Sequence, residues 1–507
     1  MVSVDVVGRV TRSYGPDGKH GPDHLTGARA SPFRNRRRPA DMLGWSNEVA
    51  RMLNPHIFRA YDVRGRIGAD INPGVFRQVG RAYATLIRRR GGRTIAVGRD
   101  NRESSAELKA AFMEGVAAAG LDVVDIGEVT TPMLYFATAH WRLDGGANIT
   151  GSHNPVDYNG VKMVHPGAAP LSEDEIQQLR HTIEQGDFEA GQGAVTARDV
   201  RDDYFGVVVG LVRPARRLRV VVDAGNGVAG GYGPELLRRI GCDVVELYCE
   251  SDGRFPNHLP DPEDPENVVD LQAKVLELGA DLGLAWDGDA DRVGVIDERG
   301  RRHEADLVLA LLARDLLRRH PGAKIVFDVK CSQSLVDDIT RHGGVPVMWK
   351  TGHSHLKRKM RDDQILLGGE VSGHMFFAES YYGVDDGLLA ACKVVDIIAR
   401  EPGPASRLFD TLEHRHSTPE LKAPCPDDKK FALIEELAHE LRQRYETIDI
   451  DGARVLFPGG GWGLVRASNT NPYLTLRFEG PSESHISEMK RVIYTALQRY
   501  PYVKLPE

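Results

Sequence analysis

From residue 94 onward the chain repeats one alternation of apolar and polar positions three times: a continuous apolar run, a polar loop, a helical stretch closed by glycine, and a second apolar run. The first copy is TIAVGRD, SAELKAAFMEGVAAAG ending at Gly120, then LDVVDIG. The second is LRVVVDAGNG, PELLRRI to Gly241, then CDVVELY; the third is KIVFDVKCSQ, SLVDDITRH with Gly343 and Gly344, then VPVMWK. Uninterrupted apolar runs are what strands covered by helices on both sheet faces require, and the closing glycine suits a left-handed helix cap. Each copy predicts a βαβ unit. Starts near 94, 218 and 323 are spaced at domain scale, which favours three related α/β domains over one large sheet.

The pattern changes towards the C-terminus. Residues 401–430 are rich in Pro and Asp (EPGPAS, KAPCPDDKK). They are followed by a helix around FALIEELAHELRQRY, short strands near ARVLF and LTLRFEG, and a last helix through SEMKRVIYTALQRY. This predicts a smaller α+β domain, and the Pro-rich connection motivates the expectation that it closes over a ligand. Residues 1–45, with Arg34, Arg36, Arg37 and Arg38 set among Gly, Pro and Asp, show no sustained period and read as a flexible tail. The predicted divisions are 1–45 (tail), 46–198, 199–301 and 302–413 (three α/β domains), and 414–507 (α+β), arranged around a central cleft.

Composition narrows the function. The chain has 507 residues, 65 Lys and Arg against 72 Asp and Glu, and a formal charge of −7. No global basic field is available to hold nucleic acid. Five scattered cysteines without a CxxC pair give neither a disulfide framework nor a cysteine zinc site. No apolar run approaches the roughly 20 residues of a membrane helix. The expectation is a cytoplasmic protein with no nucleic-acid or membrane partner, monomeric, with oligomers left open.

Four loops could carry chemistry. DGDADR, between the strand-like LGLAW and VGVID, crowds Asp287, Asp289 and Asp291 into one turn, and a hard divalent cation would offset their repulsion. An EF-hand is set aside because Arg292 stands where that loop needs glycine. TGSHNP (150–155) ends an apolar run, where open α/β sheets bind ligands. Ser152 and His153 are adjacent, and on extended backbone they would face opposite sides, so His153 is not expected to serve Ser152 as a base. GGEVSGH (368–374), if extended, turns Glu370, Ser372 and His374 to one side, a set suited to sugar hydroxyls. RASNTNP (466–472) offers Arg466, Ser468, Asn469 and Thr470 as a phosphate cradle.

In order, FRAYDVRG (58–65), TGSHNP, DGDADR, KTGHS (350–354), GGEVSGH and RASNTNP resemble the α-D-phosphohexomutase superfamily, and within it the bacterial phosphomannomutase/phosphoglucomutase group. The resemblance spans roughly residues 54–507. It implies an isomerase that moves a phosphoryl group between C1 and C6 of mannose and glucose through a phosphoserine and a hexose 1,6-bisphosphate, with Mg2+ as cofactor and sugar phosphates as partners. By resemblance Ser152 is the phosphorylated serine, and Asp287, Asp289 and Asp291, with the phosphoserine, hold the metal. Arg64, Tyr61, Arg292, His153 and Lys162 fall beside the reacting phosphate, and Lys162 and His374 are the proton-transfer candidates. Glu370 and Ser372 match contacts to sugar hydroxyls, Gly352, His353 and Lys330 the cleft wall, and Arg466, Ser468, Asn469 and Thr470 the site of the non-reacting phosphate. Ala290 replaces a glycine common in relatives and is expected to leave the carboxylates in place. The alternatives are a phosphoglucosamine mutase, an aspartate-based sugar phosphatase, and a non-catalytic sugar-phosphate or calcium binder.

Overall fold

Each of the three repeated units becomes one side of a mixed sheet. The computed structural model of the chain describes residues 53–469 and 471–506, so the expected tail at 1–45 and Thr470 lie outside the described residues. In the first sheet Thr94–Arg99 runs parallel to Asp122–Glu128, in the second Arg219–Asp223 to Asp243–Leu247, and in the third Lys324–Asp328 to Val345–Trp349. Helices Ser105–Ala118, Gly233–Arg239 and Gln333–Arg341 make the crossovers. The apolar run predicted for the central strands is buried throughout, as Ile95, Ala96, Val97, Val220, Val221, Val222, Ile325 and Val326 have no exposed surface. Burial on both faces is why these strands are apolar at every position.

The repeat extends further than the sequence pattern. On its other side each central strand pairs, again in parallel, with Gly146–Ile149, Leu282–Trp286 or Leu367–Gly369. Each of these strands then returns as an antiparallel neighbour: Tyr158–His165, Val293–Asp297 or Met375–Phe377. The three returns are residues 150–157, 287–292 and 370–374. One topological position, repeated in three sheets, thus carries the three chemistry-bearing loops.

The fourth sheet is antiparallel, in the order His416–Ser417, Tyr473–Gly480, Trp462–Ala467, Ala453–Leu456, Thr447–Ile448, with Leu421–Pro424 also on Tyr473–Gly480. Helices Asp427–Arg442 and Glu483–Leu497 cover it with a separate core of Leu433, Leu437, Leu476, Phe478 and Ile493. The strand Trp462–Ala467 was not expected, because Gly461, Gly463 and Arg466 interrupt its apolar pattern. All six of its residues are nevertheless buried. Arg466 therefore belongs to a strand, and the loop proper starts at Ser468. Three related α/β sheets and a smaller α+β unit match the expected fold class. Among the described residues no helix is long and apolar enough to cross a membrane.

Candidate active site

Ser152 sits in a turn. The Asn154 amide bonds the Gly151 carbonyl at 3.0 Å, and Ser152 itself has φ of 50°, a left-handed conformation costly for a residue with a side chain. The extended backbone assumed for Ser152 and His153 is absent, which corrects the expectation that the two side chains diverge. His153 Nδ1 lies 3.2 Å from Ser152 Oγ. Burial and the cations Arg292, Arg64 and Lys162 hold the His153 pKa well below its ordinary value, so the ring is neutral at neutral pH.

What forces the turn is a buried arginine that the sequence reading passed over. Arg102 Nη1 donates to the carbonyls of Pro155 (2.7 Å) and Tyr158 (3.1 Å), and Nη2 to those of Ser152 (2.8 Å) and Asn154 (2.6 Å). Asp100 pairs with it at 3.3 Å and accepts the Gly151 amide at 3.0 Å. A Cβ at Gly151 would collide with the Arg102 guanidinium, so glycine there is a packing requirement. The available signal was position: Asp100 and Arg102 follow the central strand Thr94–Arg99, at the strand end where α/β sheets place ligands.

The second return loop packs directly on this turn. Gly288 abuts the Ser152 carbonyl, where a side chain would clash. Ser152 Oγ donates to Asp287 Oδ2 at 2.9 Å. Asp287, Asp289 and Asp291 have no exposed surface, and their ligand atoms lie within 4.8 Å of one another. Thr131 fixes the loop by donating from its amide to the Asp289 carbonyl (2.9 Å) and from its hydroxyl to Asp289 Oδ2 (2.6 Å). Ala290 has φ of 61°, so it adopts the glycine-favouring conformation at some strain and leaves the carboxylates in place.

Lys162 is the cation inside the cluster. Its Nζ lies 2.8 Å from Asp289 Oδ2 and 2.5 Å from Asp291 Oδ2. Burial alone would lower the lysine pKa, but the three aspartates outweigh it and raise it. Asp287, which Lys162 does not touch, is pushed well above the usual carboxylate range by burial and by Asp291 and Asp289. Asp289 Oδ1 is buried without a hydrogen-bond partner. Three carboxylates crowded together and an orphaned carboxylate oxygen fit a hard divalent cation. Arg292 is oriented by its amide bond to Asp287 Oδ1 (3.1 Å), and its side chain lies 3.6 Å from Glu263 and 3.9 Å from Asp261.

The third return loop differs from expectation in one respect. It is a tight turn, with the Glu370 amide on the His374 carbonyl at 2.9 Å and Gly373 at φ 98°, so alternation along an extended strand does not align its side chains. The turn still gathers them. His374 Nδ1 lies 3.1 Å from Glu370 Oε2 and 2.9 Å from Ser372 Oγ, and its Nε2 is 3.2 Å from Asp291 Oδ1. Burial opposes charging of this ring, but Asp291 and Glu370 raise its pKa to about 9. Glu370 Oε1 accepts the Gly352 amide at 2.6 Å, which ties the KTGHS turn to the same loop. His353 stacks 5.6 Å from His374 and meets the Tyr61 ring edge-on at 5.3 Å.

The fourth loop reaches back to the first sheet. Asn469 Nδ2 donates to the Tyr61 hydroxyl at 3.2 Å, and Ser468 Oγ accepts the Asn471 amide at 3.2 Å. Arg466 is buried, pairs through Nε with Asp451 at 2.8 Å, and leaves Nη2 without a partner. Lys330 Nζ pairs with Glu420 at 2.8 Å. Arg64 pairs with Asp62 at 2.5 Å and is partly exposed. The four loops are therefore joined by direct contacts, Ser152 with Asp287, Asp291 with His374, Glu370 with Gly352, and Asn469 with Tyr61.

Comparison with known proteins covers all four parts of the chain. Four family profiles match in order: phosphoglucomutase/phosphomannomutase alpha/beta/alpha domain I at 55–190, domain II at 206–300, domain III at 304–415, and the C-terminal domain at 420–496. The chain is 44% identical over 454 residues to a phosphomannomutase/phosphoglucomutase of Pseudomonas aeruginosa, covering 89% of this chain and 98% of that one. It is 43% identical over 455 residues to a phosphoglucomutase of Neisseria gonorrhoeae, with the same coverage. A crystal structure of a phosphoglucomutase/phosphomannomutase family protein from Burkholderia thailandensis superposes with a TM-score of 0.84 at 42% identity, covering 90% of this chain and all of that one. The chain belongs to the phosphoglucomutase/phosphomannomutase family.

Proposed function

We propose that the protein interconverts the 1-phosphates and 6-phosphates of mannose and glucose, through a phosphorylated Ser152 and a bound hexose 1,6-bisphosphate. The observation that carries this reading is the Ser152 hydroxyl 2.9 Å from Asp287, inside an acidic cluster, with a separate cationic cradle at Arg466. A nucleophile beside a metal-type site suits phosphoryl transfer, and a second anion site suits a substrate with two phosphates. Each of the segments 46–198, 199–301, 302–413 and 414–507 supplies one loop.

In the first half-reaction the P–O bond to Ser152 Oγ breaks as a bond forms to the free sugar hydroxyl. In the second, Ser152 Oγ takes the phosphoryl group from the other end of the sugar. In each half-reaction a protonated carrier gives its proton to the leaving oxygen and, so emptied, takes up the proton lost by the attacking hydroxyl; His374 and Lys162, both held protonated by neighbouring carboxylates, are the carriers. Asp287, Asp289, Asp291 and Ser152 would hold Mg2+, which supplies neutralisation of the charge that spreads over the phosphoryl oxygens. Arg292 and Arg64 face the same phosphoryl group. Glu370, Ser372 and His353 orient sugar hydroxyls, while Tyr61, Gly352, Lys330, Arg466, Ser468, Asn469 and Thr470 hold the non-reacting phosphate and the sugar beside it.

The test is conversion of mannose 1-phosphate, glucose 1-phosphate and glucosamine 1-phosphate to their 6-phosphates, with Mg2+ and a trace of hexose 1,6-bisphosphate. Turnover of mannose and glucose substrates is expected. Preference for glucosamine 1-phosphate would move the substrate class, and phosphate release without isomerisation would overturn the mutase reading.

A further inference from the structure

Buried cations in a protein without substrate need resident anions: Asp451 pairs with Arg466 at 2.8 Å, and Glu420 serves Lys330. Glu420 Oε2 accepts from Lys330 Nζ at 2.8 Å, and Glu420 Oε1 accepts from Thr475 Oγ1 at 3.3 Å. Thr475 stands directly opposite Arg466 in the register of Trp462–Ala467 on Tyr473–Gly480. The Glu420 carboxylate therefore lies between Lys330, from the third sheet, and Arg466, from the fourth. Both cations are buried, and Arg466 keeps an unpartnered guanidinium nitrogen.

Glu420 is not part of a rigid ladder. It precedes Leu421–Pro424 in the connection from His416–Ser417 and follows Pro419. A phosphate dianion entering between Lys330 and Arg466 meets a resident negative charge that already uses the lysine. Two anions cannot share the lysine without mutual repulsion, which is strong where water is scarce. The carboxylate must give way, and the energy of breaking its ion pair is subtracted from phosphate binding.

We propose that Glu420 is a displaceable internal anion: it occupies Lys330 when the phosphate site is empty and cedes it to the sugar phosphate, keeping phosphate affinity low enough for the bisphosphate to leave the cradle and turn. The inference rests on the proposed mutase reading. Glu420 is a positioning residue in this account, acting on substrate through Lys330.

The test uses the full-length protein. Calorimetric titration with inorganic phosphate and with glucose 6-phosphate should show Glu420→Gln binding each about three- to tenfold more tightly than wild type. Its kcat should fall while kcat/KM is retained, because tighter ground-state binding slows turning and release. A purely structural Glu420 predicts the reverse, with weaker binding and a higher KM. Equal or weaker phosphate binding by a folded Glu420→Gln protein overturns the proposal. Should that variant fail to fold, a crystal structure of wild type with glucose 6-phosphate decides. Lys330 Nζ on the phosphate and out of hydrogen-bond reach of Glu420 supports the inference, and an intact pair overturns it. Failure of the mutase reading shows separately, as wild type that does not isomerise hexose phosphates.

Discussion

The Ser152 hydroxyl donates a 2.9 Å hydrogen bond to Asp287 Oδ2 and so joins the return loop of the first sheet to that of the second. This contact places the Ser152 hydroxyl against the acidic cluster. Ser152→Ala is expected to lower kcat by about 10⁴-fold or more, the scale seen when a covalent nucleophile is removed. Its melting temperature should stay close to wild type, since only the Asp287 and His153 contacts are lost. Steady-state assay and thermal denaturation check the two halves together.

Removing the metal should cost both activity and stability. Asp287, Asp289 and Asp291 repel one another, and Lys162 and His374 only partly offset that repulsion. A ligand that binds only the folded state stabilises it by about 2.7 kcal/mol at one hundred times its Kd. Mg2+ is therefore expected to raise the melting temperature of wild type, and EDTA to abolish turnover. Asp289→Asn should show a much smaller Mg2+-dependent shift in calorimetry.

Arg102 should matter as much as residues that touch substrate. Its guanidinium binds four carbonyls between Ser152 and Tyr158. Arg102→Met strands the Asp100 charge and frees the Ser152 turn, so a loss of about 3 kcal/mol is expected, with kcat reduced by about 10- to 100-fold. Gly151→Ala, which drives a methyl group into the same guanidinium, should reproduce the loss of kcat. Thermal denaturation and initial-rate measurements test both.

The Glu420–Lys330 pair gives stability a dependence on acid. Burial would raise the Glu420 pKa, but Lys330 and Arg466 lower it to about 2 from an ordinary 4.5. A depressed carboxylate contributes stability that is fully present above the unfolded value, 4.5, and is lost as pH falls through about 2. The difference in melting temperature between wild type and Glu420→Gln should be constant from neutral pH to about 5 and shrink steadily below 4.5. A difference that does not change with pH would show that the charge of Glu420 is not what matters.

The sequence made legible whatever is written contiguously. Apolar runs located the three central strands, and the crowding of Asp287, Asp289 and Asp291 announced a cation-type site without any partner in view. Ser152, Glu370 and His374 were found because each sits in a short polar loop after an apolar run, and Arg466 because it adjoins one. What stayed hidden depends on approach between distant segments or on backbone conformation. Arg102 acts on a turn about 50 residues away, Thr131 on a loop 158 residues away, and Glu420 on a lysine 90 residues away. The left-handed Ser152, which brings His153 to it, and the tight turn at 370–374 are set by tertiary contacts that no local period records. The strand Trp462–Ala467 was missed because its arginine is buried by an ion pair with Asp451, where pattern alone reads a charged residue as a loop.

The most direct test asks where the phosphoryl group resides. The protein is incubated with glucose 1,6-bisphosphate, its intact mass is recorded, the modified peptide is sequenced, and the sample is then chased with glucose 1-phosphate. The account predicts a gain of one phosphoryl group on the peptide containing Ser152, absent in Ser152→Ala, and removed by the chase with formation of the bisphosphate. A hydroxylamine-labile phosphoryl group on Asp287 or Asp289, or wild type that isomerises hexose phosphates without ever carrying the group on Ser152, would contradict it.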